Sequence, residues 1–148
     1  MQSNNINISV IIPTYGNPKF LEASIRSVIN QTYKFWELII VDDNNPETTA
    51  RKQTEELVLK YLKSDSRIKY IKHECNKNGA VARNTGFAVA KGKYISLLDS
   101  DDEYLPERLQ KWMAYKKNGV ALLDTSQEGN TPNTIYNGYD DTVKLQAI

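Results

Sequence analysis

The segment 92-GKYISLLDSDD-102 joins a short apolar run to a cluster of acidic residues. Tyr94 to Leu98 is mostly apolar and has the length of a buried β-strand. Three aspartates follow this run directly: Asp99, Asp101 and Asp102. Like charges that lie close together repel each other and raise each other's pKa, and a bound cation relieves that repulsion. The segment therefore predicts a strand whose carboxyl end offers a cation site.

On both sides of this segment, short apolar runs alternate with stretches of helical periodicity. We predict strands at 8–12, 36–41, 68–71, 94–98 and 120–123, with a short additional strand at 135–139. We predict helices at 18–30, 46–63, 80–90 and 106–117. Strands that alternate with helices form a mostly parallel sheet with helices on both faces, so the pattern predicts a three-layer α/β fold.

Proline and glycine mark the ends of three of these helices. Asn17-Pro18 and Asn45-Pro46 each have the pattern of a capping residue followed by proline in the first helical turn, so we expect helices to begin there. Gly92 follows the alanine-rich helix and is expected to end it as a glycine at the C′ position.

The composition is that of an ordinary globular protein. Of 148 residues, 40% are hydrophobic and 25% are charged, and the net charge is +1. This length favours a single domain, and the small net charge argues against a nucleic-acid partner. The single cysteine, Cys75, excludes an internal disulfide. The polar amino terminus is unlike a signal peptide and no apolar run could span a bilayer, so we expect a cytoplasmic protein, with peripheral membrane attachment left open.

Polar side chains cluster where the predicted strands end. The second strand ends in Asp42-Asp43, the third in His73-Glu74 and the fourth in the acidic cluster at 99–102. The carboxyl ends of parallel strands meet at one edge of a sheet, where ligands bind. Carboxylates without a set of His or Cys ligands suit Mg²⁺ or Mn²⁺ rather than Zn²⁺. The alternative is that these acids serve only as turn and helix-capping residues.

Several common active-site motifs are absent from the sequence. It has no G-x-x-x-x-G-K-[ST] phosphate loop, no G-x-G-x-x-G after the first strand and no G-x-S-x-G elbow. These absences argue against P-loop, dinucleotide-binding and α/β-hydrolase sites. The lone histidine, His73, has no partner for a zinc site, and we expect it at the surface or at a strand end. Cys75 is expected to be an inert loop thiol.

Five segments resemble the motifs of family 2 glycosyltransferases of the GT-A fold, in the order and spacing of that family. A lone D-x-D motif is weak evidence, whereas five ordered motifs are specific. The five segments are Ser9–Tyr15, Ser27–Thr32, Glu37–Asn44, Asn78–Gly86 and Gly92–Asp102. The resemblance extends from Ser9 to about Asn118 and implies a Rossmann-like, three-layer GT-A sandwich.

The resemblance also implies roles for the polar residues near the strand ends. Tyr15 would stack on a nucleotide base, and Asp43 would accept a hydrogen bond from a uracil imide. Asp101 and Asp99 would hold Mn²⁺ or Mg²⁺. Arg83 would lie near the base or the phosphates, or would instead pair with Asp42 or Asp99. The complete set implied to bind a nucleotide-sugar is Pro13, Thr14, Tyr15, Asp43, Asn78, Gly79, Arg83, Asp99, Ser100 and Asp101.

For the reaction, the family implies transfer of a sugar from a nucleotide-diphosphate donor, with UDP favoured, to an acceptor hydroxyl with inversion at the anomeric carbon. The acceptor would belong to a glycan or glycoprotein. The metal would stabilise the leaving diphosphate, and a carboxylate would act as the base. The base is left unassigned in this chain: the pair Asp140-Asp141, with Asp141 as the candidate, could take this role, and the alternative is that both are solvated acids of a polar tail. The alternative is a nucleotide-sugar-binding or assembly module that lacks turnover.

The chain departs from the family pattern in two loops and in its length. Gly16 stands where the family commonly has Asn, and Asn44-Asn45-Pro46 replaces the family's Gly-Ser-rich loop. Residues 1–124 are expected to form the donor-binding domain, and residues 125–148 a short extension that is a remnant of the acceptor half. Because about thirty residues follow the last predicted helix, we expect a fold shortened at its C-terminus, either compact or truncated from a longer enzyme. Uncovered apolar surfaces would then favour a homo-oligomer.

Overall fold

The computed structural model describes residues 5–117 of the chain. Within them, four strands alternate with four helices, which confirms the α/β pattern. The elements are β1 (Ile8–Thr14), α1 (Leu21–Ile29), β2 (Trp36–Asp42), α2 (Thr49–Ser64), β3 (Ile68–Lys72), α3 (Gly79–Val89), β4 (Tyr94–Leu97) and α4 (Arg108–Lys117). The predicted strands at 120–123 and 135–139, the domain boundary at 124 and the candidate base Asp141 lie outside the described residues.

The four strands form one parallel sheet in the order β3-β2-β1-β4. Thr14 of β1 lies opposite Asp42 of β2, and Ile11 of β1 lies opposite Leu97 of β4. The chain therefore builds the sheet in one direction from β1 to β3 and then places β4 on the other side of β1. Such a reversal creates a crevice beyond the carboxyl ends of β1 and β4, where open α/β sheets bind their ligands.

Different helices cover the two faces of the sheet, which produces three layers. Alternate residues of a strand point to opposite faces, so Val10 and Ile12 pack with the cluster formed by α1, α2 and α4, whereas Ile11 packs with α3. Gly86 lets α3 lie close to the sheet, because a Cβ at this position would come within 2.6 Å of Ile11. The small residues of α3 thus serve close packing, and they bring the amino terminus of this helix up to the crevice.

The first two helices begin later than their prolines predict. α1 begins at Leu21, and Phe20 precedes it without a side-chain capping bond. α2 begins at Thr49, and the hydroxyl of Thr48 accepts a hydrogen bond of 3.2 Å from the backbone N–H of Arg51. The predictions that Asn17-Pro18 and Asn45-Pro46 start the helices are therefore wrong. Each proline lies three residues before the first residue of its helix, so neither occupies the first helical turn.

The role predicted for Gly92 is also wrong. Ala90 caps α3, and Gly92 does not adopt the left-handed conformation expected of a C′ glycine. A Cβ at Gly92 would instead lie 2.6 Å from the backbone nitrogen of Ser9, and the Gly92 N–H donates to the Ser9 hydroxyl at 2.8 Å. Glycine is needed here because the chain passes directly against the start of β1 before it enters β4.

The longest described helix, α2, has 16 residues and a narrow buried stripe. That stripe consists of Arg51, Thr54 and Val58, so it includes a charged residue in the first turn.

Among residues 5–117, no helix combines the length and the apolar character that crossing a membrane requires.

Candidate functional site

An open cavity of about 430 Å³ lies beyond the carboxyl ends of the strands, at the place that the strand order indicates. Nine of the ten residues predicted to bind a nucleotide-sugar line it; the tenth, Asp101, does not. Asn76 and Ala82 complete the lining. The nine residues are Pro13, Thr14, Tyr15, Asp43, Asn78, Gly79, Arg83, Asp99 and Ser100. Residues that are far apart in the sequence are thus brought to one cavity.

The turn after β1 presents an aromatic ring to this cavity. Thr14 is buried, whereas Tyr15 is 65% exposed. Gly16 has a φ of +79°, a conformation that glycine adopts without strain and that asparagine tolerates better than most residues. The Gly16 N–H donates to the side-chain oxygen of Asn44 at 2.8 Å. This bond ties the turn to the loop after β2 and holds Tyr15 at the mouth of the cavity.

Asp43 is a buried carboxylate that is held from three directions. Its Oδ1 lies 2.7 Å from Nδ1 of His73 and accepts a hydrogen bond of 2.8 Å from the backbone N–H of Lys77. Its Oδ2 accepts a bond of 3.1 Å from the side-chain amide of Asn76. Since Asp43 also lines the cavity, these bonds fix the orientation of a hydrogen-bond acceptor at the cavity wall.

The neighbouring Asp42 has a structural role. Its carboxylate is fully buried and lies 3.1 Å from Nε of Arg51. The Tyr70 hydroxyl donates to it at 2.5 Å, and burial together with the Asp42 carboxylate raises the pKa of Tyr70 far above its usual range. Arg51 also donates to the backbone carbonyls of Asp42, Asn44 and His73. Arg51 therefore connects the ends of β2 and β3.

Arg51 was missed by sequence reasoning, which offered Arg83 as the partner of Asp42 or Asp99. The structure selects Asp99, because Nη2 of Arg83 lies 3.3 Å from Oδ1 of Asp99. The spacing of Arg51 along α2 could have indicated its position. It lies on one helical stripe with Thr54 and Val58, so its side chain points into the protein, next to the loop that begins with Asp42-Asp43.

Of the two positions predicted for His73, a strand end or the surface, the structure shows the strand end: the residue follows β3 directly, and its side chain is buried. Its Nε2 lies 2.8 Å from the hydroxyl of Thr85 on α3, on the side opposite Asp43. Sequence reasoning did not single out Thr85. A lone histidine gives no sign of its neighbours, since both partners come from other parts of the chain. Cys75, by contrast, is exposed in its loop.

The amino terminus of α3 faces the same cavity. Asn78 caps the helix, with its side-chain oxygen accepting a hydrogen bond of 3.1 Å from the N–H of Val81. Its φ of +77° is compatible with asparagine more than with most residues. Asn78 and Gly79 both line the cavity. The unpaired N–H groups and positive dipole of a helix start favour an anionic group.

The acidic cluster consists of Asp99, Asp101 and Asp102, and one carboxylate oxygen from each residue lies within 4.8 Å of the other two. All three residues are exposed. Burial and the repulsion from Asp101 and Asp99 raise the pKa of Asp102. The Ser24 hydroxyl anchors the loop through a bond of 2.6 Å to the carbonyl of Asp102. α4 begins only at Arg108, so these acids do not flank its first turn.

The donor set of this cluster fits a hard divalent cation. It offers carboxylate oxygens and no nitrogen or sulfur ligand. Mg²⁺ and Mn²⁺ take such oxygen ligands, and a bound ion would relieve the repulsion that raises the pKa of Asp102. Asp99 belongs both to this cluster and to the cavity wall, so an ion held here would lie beside a ligand in the cavity.

Comparison with known proteins gives a consistent set of matches. The sequence model described as "Glycosyl transferase family 2" matches residues 9–141. A UDP-Glc:alpha-D-GlcNAc-diphosphoundecaprenol beta-1,3-glucosyltransferase of Escherichia coli, WfgD, is 37% identical over 129 residues, which are 86% of this chain and 48% of that protein. A putative teichuronic acid biosynthesis glycosyltransferase of Bacillus subtilis, TuaG, is 32% identical over 154 residues, covering 95% of this chain and 58% of that protein.

Solved structures match as well, and those of S. aureus TarS are among them. Residues 1–349 of S. aureus TarS, in complex with UDP-GlcNAc, superimpose with a TM-score of 0.70 and 27% identity, over 86% of this chain and 37% of that one. The same TarS fragment has also been solved with UDP. The chain spans about half the length of the two curated relatives, and a smaller share of the TarS fragment.

Proposed function

The chain belongs to glycosyl transferase family 2, and we propose that it binds a UDP-sugar and, with a divalent metal ion, transfers the sugar to an acceptor hydroxyl with inversion. The observation that carries this proposal is the convergence of nine family-motif positions on one cavity beside the acidic cluster. The GT-A fold alone would not support it, because one fold can host many functions.

The nucleoside would occupy the end of the cavity between β1 and the loop after β2. The exposed ring of Tyr15 supplies a surface for base stacking. The fixed carboxylate of Asp43 supplies an acceptor for an imide N–H of uracil. The UDP and UDP-GlcNAc complexes of S. aureus TarS support a uridine nucleotide in preference to others.

The diphosphate would occupy the end of the cavity formed by α3 and the acidic cluster. The start of α3 and the guanidinium of Arg83 favour an anion there. Asp99 and Asp101 would hold Mn²⁺ or Mg²⁺, and a bound ion would neutralise the charge that develops on the leaving diphosphate. Arg83 pairs with Asp99 in this structure, and we propose that it turns towards the diphosphate when a nucleotide binds.

The acceptor half of the site is proposed from the family. Names of the relatives point to glycan synthesis: the E. coli relative is a glucosyltransferase named for a diphosphoundecaprenol-linked sugar, and the B. subtilis relative is named for teichuronic acid. We propose a glycan or glycoprotein acceptor, with residues 1–124 as the donor-binding domain and residues 125–148 as an extension. Asp141 is proposed as the general base and lies outside the described residues.

Two further features complete the proposal. We place the protein in the cytoplasm, with peripheral attachment to the membrane, because the E. coli relative is named for a sugar linked to diphosphoundecaprenol, which is a lipid. We also propose self-association, since Leu105 and Phe35 expose large apolar side chains at 79% and 55%. Sedimentation velocity at increasing concentration tests this second point, and a strictly monomeric protein contradicts it.

The decisive experiment measures UDP release from UDP-glucose and UDP-GlcNAc with Mn²⁺ present. Asp101→Ala should abolish release, because it removes a carboxylate of the acidic cluster. Glu107→Ala serves as the matched control, since Glu107 is an exposed acid whose partner is Lys111. Manganese-dependent UDP binding without release or transfer would contradict the enzymatic proposal and indicate a binding module. Release that is unchanged in Asp101→Ala would contradict the metal site.

A further inference from the structure

A chain of four hydrogen-bonding groups runs from the cavity wall into α3. It begins at the Asp43 carboxylate, continues through the two ring nitrogens of His73 and reaches the hydroxyl of Thr85. The Thr85 oxygen lies 3.0 Å from the backbone carbonyl of Val81. Asp43 lines the cavity, but His73 does not, so the histidine supports the site from behind.

The protons of this chain can be counted. The Thr85 hydroxyl has one proton, which goes either to the Val81 carbonyl or to Nε2 of His73. In the first arrangement Nε2 must itself carry a proton and donate to Thr85, and in the second it accepts. In both arrangements a proton lies between Nδ1 of His73 and Oδ1 of Asp43, because two bare acceptors cannot stand 2.7 Å apart.

The position of that proton decides the character of the other carboxylate oxygen. Because Oδ1 already accepts from the N–H of Lys77, we assign this proton to Nδ1, which donates it to Oδ1. Oδ2 therefore carries no proton and can only accept. It receives one bond from the Asn76 amide at 3.1 Å, and a carboxylate oxygen has room for a second donor.

We propose that His73 is a positioning residue that keeps Oδ2 of Asp43 a pure acceptor, so that the site selects a nucleobase with an N–H at its pairing edge. Uracil offers such an N–H at ring position 3, whereas cytosine presents a lone pair there. A lone pair facing a buried carboxylate leaves both groups without a donor, which corresponds to about a 10- to 100-fold loss of affinity. This inference rests on the proposed function, because it assumes that the cavity holds a pyrimidine nucleotide.

The test compares dissociation constants for UDP and CDP by calorimetry with Mn²⁺ present. The wild-type protein should bind UDP at least tenfold more tightly. His73→Leu removes the donor to Asp43 and should lower this preference by about tenfold, mainly through weaker UDP binding. His73→Asn keeps an amide donor near the Nδ1 position and should largely restore the preference. Cys75→Ser, an exposed loop change close by, should leave both constants unchanged.

These outcomes separate positioning from mere structural support. Equal weakening of UDP and CDP in His73→Leu would overturn the proposal, because a purely structural role affects both nucleotides alike. A wild-type protein that binds neither nucleotide would overturn the proposed function, and the base selection with it. A protein that binds UDP and CDP equally would overturn this inference alone.

A second measurement needs no variant and no ligand. The sequence contains a single histidine, so the imidazole ¹⁵N signals of the untagged protein belong to His73. A protonated Nδ1 at neutral pH is the expected result. An unprotonated Nδ1 would overturn the proposal even if the nucleotide site itself is correct, and the result stands if His73→Leu fails to fold.

Discussion

Replacing Arg51 with methionine removes the cation that faces Asp42 in the protein interior while keeping a side chain of similar length. Nε of Arg51 lies 3.1 Å from the Asp42 carboxylate, and these side chains are only 8% and 0% exposed. The same guanidinium donates to three backbone carbonyls at the ends of β2 and β3. The substitution therefore leaves a buried charge without its cation and removes a donor from all three carbonyls, although that of Asp42 keeps a bond of 2.9 Å from the His73 N–H.

The expected loss follows from these contacts. Breaking a buried ion pair by removing one partner costs about 3–5 kcal/mol. Asp42 keeps its bonds from Tyr70 and Asn44, which argues for the lower part of that range, whereas the abandoned carbonyls raise the cost. We therefore expect Arg51→Met to lower the free energy of unfolding by about 4 kcal/mol, a large share of the 5–15 kcal/mol typical of a domain.

Urea denaturation followed by tryptophan fluorescence measures this loss. With a slope of about 2 kcal/mol per molar urea, the midpoint should fall by about 2 M. Lys111→Met breaks an exposed pair with Glu107 and should cost less than about 1 kcal/mol, so it serves as the control.

The double variant Asp42→Asn with Arg51→Met sharpens the test. It removes the stranded charge as well as its partner, so it should be more stable than Arg51→Met alone. An Arg51→Met protein within about 1 kcal/mol of wild type would refute the reasoning. A double variant less stable than Arg51→Met would show that the carbonyl bonds, and not the Asp42 charge, account for the loss.

Three further predictions concern other parts of the fold. Gly92→Ala places a Cβ 2.6 Å from the Ser9 nitrogen and should lower the melting temperature through a loss of about 1–3 kcal/mol; an unchanged melting temperature would contradict the close approach. Burial alone would raise the pKa of Glu37, but hydrogen bonds from Lys69, Ser9 and the Lys91 N–H lower it overall. The stability of the wild-type protein should therefore fall as the pH drops below about 4.5, because the unfolded state then binds the proton more readily. The urea midpoint of Glu37→Gln should change less than that of the wild-type protein over the same pH range. Because the pKa of Asp102 is raised, protons should compete with Mn²⁺ for the acidic cluster at acidic pH. The rise in melting temperature that Mn²⁺ produces should therefore be smaller at acidic pH than at neutral pH, and it should vanish in Asp101→Ala. An equal rise in Asp101→Ala and in the wild-type protein would contradict the metal site.

The strand and helix pattern was readable from the sequence because it depends on local composition. Buried parallel strands are short apolar runs, and three of the five motifs end where a strand ends, so the sequence indicated that their polar residues meet at one edge of the sheet. Helix starts were less readable, since Asn45-Pro46 fits both a helix cap and a turn. The structure chooses the turn, because the Thr48 hydroxyl provides the cap three residues before Arg51.

The supporting residues behind the cavity could not be read in the same way. His73 and Thr85 are joined to Asp43 only by the packing of α3 against the sheet, which no local pattern reports. Gly92 is a similar case: its glycine is required by contact with Ser9, more than eighty residues earlier. Long-range contacts of this kind decide why a residue is present, even where sequence pattern correctly predicts that its element exists.

The acidic residues at the carboxyl edge of the sheet form two groups: buried acids that are bonded to buried cationic or imidazole side chains, and exposed acids that are not. Asp42 is paired with buried Arg51, and Asp43 is bonded to buried His73, so the chain supplies its own donors to both acids after β2. After β4, the half-buried Arg83 reaches Asp99, and no ion pair within residues 5–117 reaches Asp101 or Asp102. A buried carboxylate must be paired or hydrogen-bonded within the fold, whereas an exposed carboxylate is solvated and is free to bind a cation from solution. This difference supports the proposed division of the site, with a metal ion and diphosphate beside Asp101 and Asp102 and a neutral base beside Asp43.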